Sequence, residues 1–286
     1  MDQLVFQNPE AATYFNSTFI NLKLHSDSSK FDNLYQKYNI YGLPTTIILS
    51  PEGNEIDRII GFKGKEKFLQ TIKDYVNGIN TLAAFLEQEK QNPSDIELLF
   101  KIAYKYADRQ ENEKALNYFS KVVEMDAKRE SAFIEEASFN IALFKTKIQK
   151  NEEPLVAYLK NCKSAEYKEK TYNQLIRFHK RQKKPEKVLA LYEEAISVFP
   201  ENTSMMNGYA WYIFTQKIPE KYTRGIAVAQ RAVELKPDQD GIWDTLAQLH
   251  YANGNTNKAI KAMEKAVALA PKTESYQKLL AKYKKS

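Results

Sequence analysis

This sequence predicts a short α+β head followed by a long all-α repeat array. Three observations carry that expectation. Two β-branched, apolar runs, one at Thr45–Leu49 and one running to Phe62, flank the cluster Pro51-Glu52-Gly53-Asn54. That is a hairpin signature, because β-branched residues fit a pleated surface while Pro and Gly supply turn dihedrals. From Gly78 onward the chain reads helical throughout and is similar to itself at a period near 34 residues. At 286 residues it also exceeds the usual single-domain size, so more than one unit is expected.

The elements follow in order. Residues 2–16 read as helix, interrupted at Asn8-Pro9, where proline suits the first turn of a new segment. Phe19–Leu24 alternates apolar and polar, the period of a half-buried strand. Ser28 or Ser29 is placed to cap a helix running to about Asn39, with Phe31, Leu34, Tyr35 and Tyr38 on one face. The hairpin follows. Pro44 enters its first strand, where a missing N–H removes no interior ladder bond. Such a proline is a strand-entry turn or a cis peptide, and composition alone favours the trans turn. A helix from Lys65 to Val76 then shows the stripe Phe68, Leu69, Ile72, Tyr75 and Val76, with Gly78 placed as its C′ residue.

Composition narrows the function classes. Hydrophobic residues make up 43% and charged ones 27%, an ordinary globular balance. No apolar run approaches the roughly 18 residues that span a bilayer. Met1–Phe6 lacks the basic and apolar regions of a signal peptide. One cysteine, Cys162, provides no internal disulfide, and His25, His179 and His250 stand in no ligand spacing. Neither a metal nor a cofactor is expected. The net charge of +6 resides after residue 80, because residues 1–80 carry 8 Lys and Arg against 9 Asp and Glu. No Gly-rich phosphate loop, nucleophile elbow or zinc-helix motif occurs.

The helical region is organised by repeats. The clearest is Trp243-x-x-Leu246-Ala247-x-x-His250, then Gly254, Ala259-x-x-x-Met263-x-x-Ala266 and Pro271. It resembles the tetratricopeptide repeat, a helical hairpin in which small residues at the eighth and twentieth positions allow close approach. Eighth positions align at Ala103, Ala137, Ile176, Ala210 and Ala247, spaced 34, 39, 34 and 37 residues apart. The two longer spacings place insertions at 147–153 and 217–224. Residues 273–285 form a basic helix suited to cover the last apolar face. By the same register 81–91 is the second helix of a preceding hairpin, so the last helix of the head begins the array without a flexible linker.

The head carries a second resemblance. A helix ending in Tyr38-x-x-x-Gly42-x-Pro44-Thr45, an apolar strand, the Gly53 turn, a second strand and a closing Gly61 resemble the second half of a thioredoxin domain. The resemblance implies a partial thioredoxin-like domain over 1–79 and a tetratricopeptide-repeat superhelix over 80–286. It implies that Leu43–Pro44 is cis and that Leu43, Pro44 and Thr45 offer backbone to a substrate peptide. The Cys-x-x-Cys pair that would precede them is absent, so no catalytic residue is assigned. Residues 2–16 are similar to the helix that follows those cysteines, which implies an N-terminally shortened chain. Architectures of this kind also imply an extracytoplasmic place.

Repeat geometry supplies the candidate binding surface. Fifth, ninth and twelfth positions share a helical face, and in proteins with these repeats that face lines the inner groove. Here it carries Phe100, Tyr104 and Ala107; Asn173, Arg177 and Lys180; Asn207, Trp211 and Phe214; Asp244, Gln248 and Tyr251. Aromatics with Arg are what peptide-binding surfaces favour. The lysine–asparagine arrangement that clamps chaperone C-termini in some family members is not reproduced. Cys162, His179 and His250 read as packing residues and His25 as a surface loop residue. The cluster Arg177, Lys180, Arg181, Lys183, Lys184 and Lys187 reads as a solvated face, with nucleic acid not expected as a partner. Two functions remain: a thiol–disulfide oxidoreductase of the thioredoxin family whose redox cysteines this chain lacks, or a non-catalytic scaffold binding protein or peptide partners.

Overall fold

The structure, a computed structural model, describes residues 1–25, 29–126, 128 and 130–285. They form two compact units, Met1–Asn161 and Cys162–Ser286. The junction expected near residue 80 therefore falls inside the first unit.

A π-helical turn, Asp2–Phe6, leads into α1, Pro9–Thr18. Asn8 caps α1 by accepting a hydrogen bond from the Ala11 N–H at 3.1 Å, and Pro9 occupies its first position. The expected strand at Phe19–Leu24 is not formed. Among the described residues the segment joins no β-ladder, and Ile20 and Leu22 are 95% and 80% exposed. Its start is held instead by the end of α1, where Phe19 N–H and the Asn21 side-chain amide both donate to Phe15 O. Alternation specifies which side chains share a face, but a strand exists only with a partner.

Ser28, one of the two expected caps, lies outside the described residues. A 3₁₀ turn at Ser29–Phe31 leads into α2, Asp32–Lys37, whose cap position is Phe31 without a side-chain bond. The hairpin forms as expected, from β1, Thr45–Leu49, and antiparallel β2, Glu55–Ile60. Thr45 pairs with Ile60 and Ile48 with Asp57, with a bulge between Ile48 and Leu49. Gly53 closes the turn at φ +81°, a left-handed conformation that a side chain disfavours. The Leu43–Pro44 peptide is cis, as the thioredoxin resemblance implied and composition did not. Among the described residues the sheet has these two strands, so a thioredoxin-like sheet is not shown. Helix α3, Lys65–Val76, packs Phe68, Ile72 and Tyr75 with Val5, Ala11, Phe15 and Ile48.

The first unit continues as helical hairpins: α4, Leu82–Gln91; α5, Ile96–Asp108; α6, Asn112–Met125; α7, Ile134–Gln149; and α8, Glu153–Asn161. Thr81 caps α4 and Asp95 caps α5. Ala103, Ala115 and Ala137 are fully buried between them, and Phe119 stacks on Phe144 at 5.8 Å.

The second unit holds α9, Ala165–Arg181; α10, Pro185–Val198; α11, Thr203–Thr215; α12, Tyr222–Leu235; α13, Asp240–Ala252; α14, Thr256–Leu269; and α15, Glu274–Tyr283. A 3₁₀ turn, Pro219–Lys221, occupies the expected insertion before α12. Ile176, Ala210 and Ala247 are buried at the eighth positions, and Ala232, Ala259 and Ala266 line the facing helices. No helix among the described residues is long and apolar enough to cross a membrane.

Candidate functional site

Most residues of the expected face lie on three helices of the second unit, α9, α11 and α13. Ser164 and Asn202 cap α9 and α11 by accepting backbone hydrogen bonds from Tyr167 and Met205. Each helix buries one stripe: Tyr172, Leu175, Ile176 and His179 in α9; Met206, Tyr209, Ala210 and Ile213 in α11; Leu246, Ala247, Leu249 and His250 in α13. The opposite stripe then points outward by helical period. Arg177 and Lys180 are exposed and Asn173 is half-buried. Trp211 is 41% exposed and lies against Phe214, with ring centroids 5.5 Å apart. Phe214 and Asn207 are half-buried, and Asn207 Oδ1 finds no hydrogen-bond partner.

Packing ties these helices together. Lys180 Nζ donates to the Tyr192 hydroxyl on α10 at 3.0 Å and lies 4.9 Å from the Tyr212 ring centroid on α11. Gly225 opens α12 and lets it approach α11 and α13. A Cβ there would lie 3.2 Å from Leu249 Cδ1 and 3.3 Å from Ile213 Cδ1. On α13 the Gln248 side-chain amide donates to Asp244 Oδ1 at 2.8 Å. Burial pushes the Asp244 carboxyl above the usual carboxylate range, against that hydrogen bond.

Not every predicted site residue joins this face. Tyr251 stacks on Tyr283 of α15 at 4.2 Å, so the C-terminal helix takes up part of its surface. Burial raises the Tyr283 hydroxyl to about 12. Tyr104 belongs to the first unit, where its hydroxyl donates to the Glu136 carboxylate and accepts from Asn140 Nδ2 at 3.1 Å. Its ring packs edge-on against Phe119. Tyr104 therefore joins α5 to α7. At the hairpin entrance Leu43 is 62% exposed and Pro44 is exposed, while Thr45 Oγ1 donates to Gly42 O at 2.6 Å. Cys162, His179 and His250 are buried, as packing residues should be, and His25 is exposed.

A buried ionic cluster in the first unit escaped sequence reasoning. Asp57 Oδ2 accepts from Lys105 Nζ at 2.7 Å and from the Leu82 N–H at 2.9 Å. Its Oδ1 accepts from Arg109 Nη2 at 2.9 Å and from the Arg58 N–H at 2.8 Å. Arg58 in turn donates to Glu55, to Tyr38 O and to Asp108 O. Burial lowers the Lys105 ammonium, an effect the Asp57 charge opposes. The available signal was an Asp-Arg pair inside an otherwise isoleucine-rich strand. Among the described residues no group of His, Cys, Asp and Glu is disposed to hold a metal.

Residues 219–283, which span α12 to α15, match the family model described as tetratricopeptide repeat. Tetratricopeptide repeat is thus shown for these residues. No curated protein matches it. Solved structures similar to it include YrrB, described as a TPR protein with an unusual peptide-binding site. That likeness has 15% identity and a TM-score of 0.46, covering 68% of this chain and 97% of that one. Yeast Tom70 is similar at 16% identity and a TM-score of 0.47, covering 74% and 42%. A tetratricopeptide repeat protein from Parabacteroides merdae follows at 16% and 0.41, covering 76% and 80%. Of the three helices that present these stripes, α13 lies within the matched residues.

Proposed function

We propose that this chain is a non-catalytic interaction module whose second unit holds a peptide partner on the outward face of α9, α11 and α13. The contact residues are Asn173, Arg177, Lys180, Trp211, Phe214 and Gln248, with the exposed edge of Tyr251. One observation supports this reading above the rest. Trp211, a large aromatic, stands 41% exposed beside Phe214 on a helix whose other aromatics, Tyr209 and Tyr212, are buried. Exposed aromatics grouped with Arg are typical anchors at protein interfaces.

The test is a peptide array probed with the full chain, then solution titration of the peptides retained. Trp211→Ala is expected to weaken them about 30-fold, the equivalent of roughly 2 kcal/mol, with an unchanged melting midpoint. Peptides bound equally well by wild type, Trp211→Ala and Arg177→Ala would overturn the assignment.

A second reading treats the N-terminal hairpin as a thioredoxin-like remnant, in which Leu43, Pro44 and Thr45 offer backbone to a substrate. It is supported by the order of α2, the Pro44-led strand, the Gly53 turn, the second strand and α3. Dithiol exchange needs an attacking and a resolving thiol. This chain carries Cys162 alone, and it is buried.

A further inference from the structure

The hairpin of the first unit has two unequal edges. Gly61 N–H donates to Pro44 O at 2.8 Å, which turns Pro44 toward β2. Backbone groups alternate sides along an antiparallel ladder, so Thr46 and Ile48 bond across it to Ile59 and Asp57. Thr45 and Ile47 therefore turn their N–H and C=O groups to the other side of β1. No strand lies on that side among the described residues. On the outer side of β2, by contrast, the Arg58 N–H is taken by Asp57 Oδ1 at 2.8 Å. Sheet edges are ordinarily guarded by charge, proline or a bulge. Here Pro44 and the bulge after Ile48 mark the two ends of β1, and Thr45–Leu49 contains no charge. The stretch between them stays open, beside half-buried Ile47 and Leu49, which is 39% exposed.

The same chain carries a segment suited to that edge. Residues 20–24 set Ile20, Leu22 and Leu24 at alternate positions and join no β-ladder among the described residues. Ile20 and Leu22 stand largely in solvent. Phe19 N–H is committed to Phe15 O, so a new ladder would begin at Ile20. Edge and ribbon do not meet within one molecule, and a second copy brings both in equal amount. Exchange of one ribbon each way then uses both edges and both ribbons about a single two-fold axis. Each added strand gains main-chain hydrogen bonds and places alternate side chains on one face. It also turns a two-stranded sheet into the three strands that stand more securely.

We propose that two copies of this chain associate by exchanging ribbons. Residues 20–24 of each copy add as a third strand to the outer edge of β1 in the other, with Ile20 and Leu22 beside Ile47 and Leu49. The surface lies in the first unit and is independent of the peptide reading above.

The experiment is sedimentation of the full chain over a range of concentrations, with two single variants and their mixture. Leu22→Pro blocks the ribbon by removing an N–H, and touches no ladder of the single molecule. Ile47→Pro blocks the edge, because the N–H it removes points away from β2. Wild type is expected to pass from monomer to dimer as concentration rises, and each variant alone should associate at least about tenfold more weakly. Mixing the variants should restore a heterodimer, weaker than the wild-type dimer, since one ribbon and one edge remain intact between them. Should Ile47→Pro unfold the hairpin, hydrogen exchange decides: the Thr45 and Ile47 amides must slow with concentration in wild type and stay fast in Leu22→Pro. A wild type that remains monomeric throughout would overturn the proposal. Association of folded Ile47→Pro as strong as that of wild type would overturn it in favour of ribbon-to-ribbon pairing. Growth past the dimer into larger species would overturn the closed exchange.

Discussion

Asp57 is enclosed completely, and its four hydrogen bonds reach the backbone of β2, the start of α4 and two cations on α5. Removing one partner of a buried ionic group leaves the others charged and unpaired, at a cost of about 3–5 kcal/mol. Asp57→Asn is therefore expected to destabilise the first unit by that amount. Hydrogen exchange of the β2 and α5 amides should accelerate together, while exchange in α13 stays as it was. Asp244 behaves in the opposite sense. Burial raises its folded-state pKa, so the folded chain binds the proton more tightly than the unfolded chain. Its contribution is full below the ordinary Asp pKa and is lost as pH rises through the folded-state value. Asp244→Asn, which keeps an acceptor for Gln248, should raise the melting midpoint at pH 7, and the gain should vanish in acid.

At the scale of elements, the repeats depend on small residues where helices cross. Gly225 faces the flexible ends of Leu249 and Ile213, so its Cβ allowance is a few tenths of an ångström. Gly225→Ala should be close to neutral, because the helix preference for Ala over Gly, roughly 1 kcal/mol, offsets the tight contact. Gly225→Leu should cost about 1–3 kcal/mol by forcing α12 away from α11 and α13. Urea unfolding followed by Trp243 fluorescence would separate the two. The hairpin of the head is fastened differently. Its charged residues grip α5 through Lys105 and Arg109, so its attachment is ionic where the repeats use close apolar contact.

For the whole molecule, legibility followed the range of the interaction. Eighth-position alanines recur within one chain segment and declare themselves by period, and the Gly53 turn declares itself by its residues. Trp211 is 41% exposed. What stayed hidden was pairing set by docking: Asp57 with residues about 50 positions away, Tyr104 with Glu136, and Tyr251 beneath Tyr283. The missing strand at Phe19–Leu24 failed for the same reason, since alternation names no partner. Its outcome bears on how the protein behaves at high concentration. An apolar-alternating ribbon that exposes Ile20 and Leu22 can form ladder bonds with another molecule, and proteins ordinarily guard such segments with charge. Only Lys23 guards this one. Ile20→Lys with Leu22→Lys should leave the stability within about 0.5 kcal/mol of the parent, since both side chains are already in water. Sedimentation velocity should show the variant free of the concentration-dependent oligomers expected of the parent, making this ribbon the place where shelf life is decided.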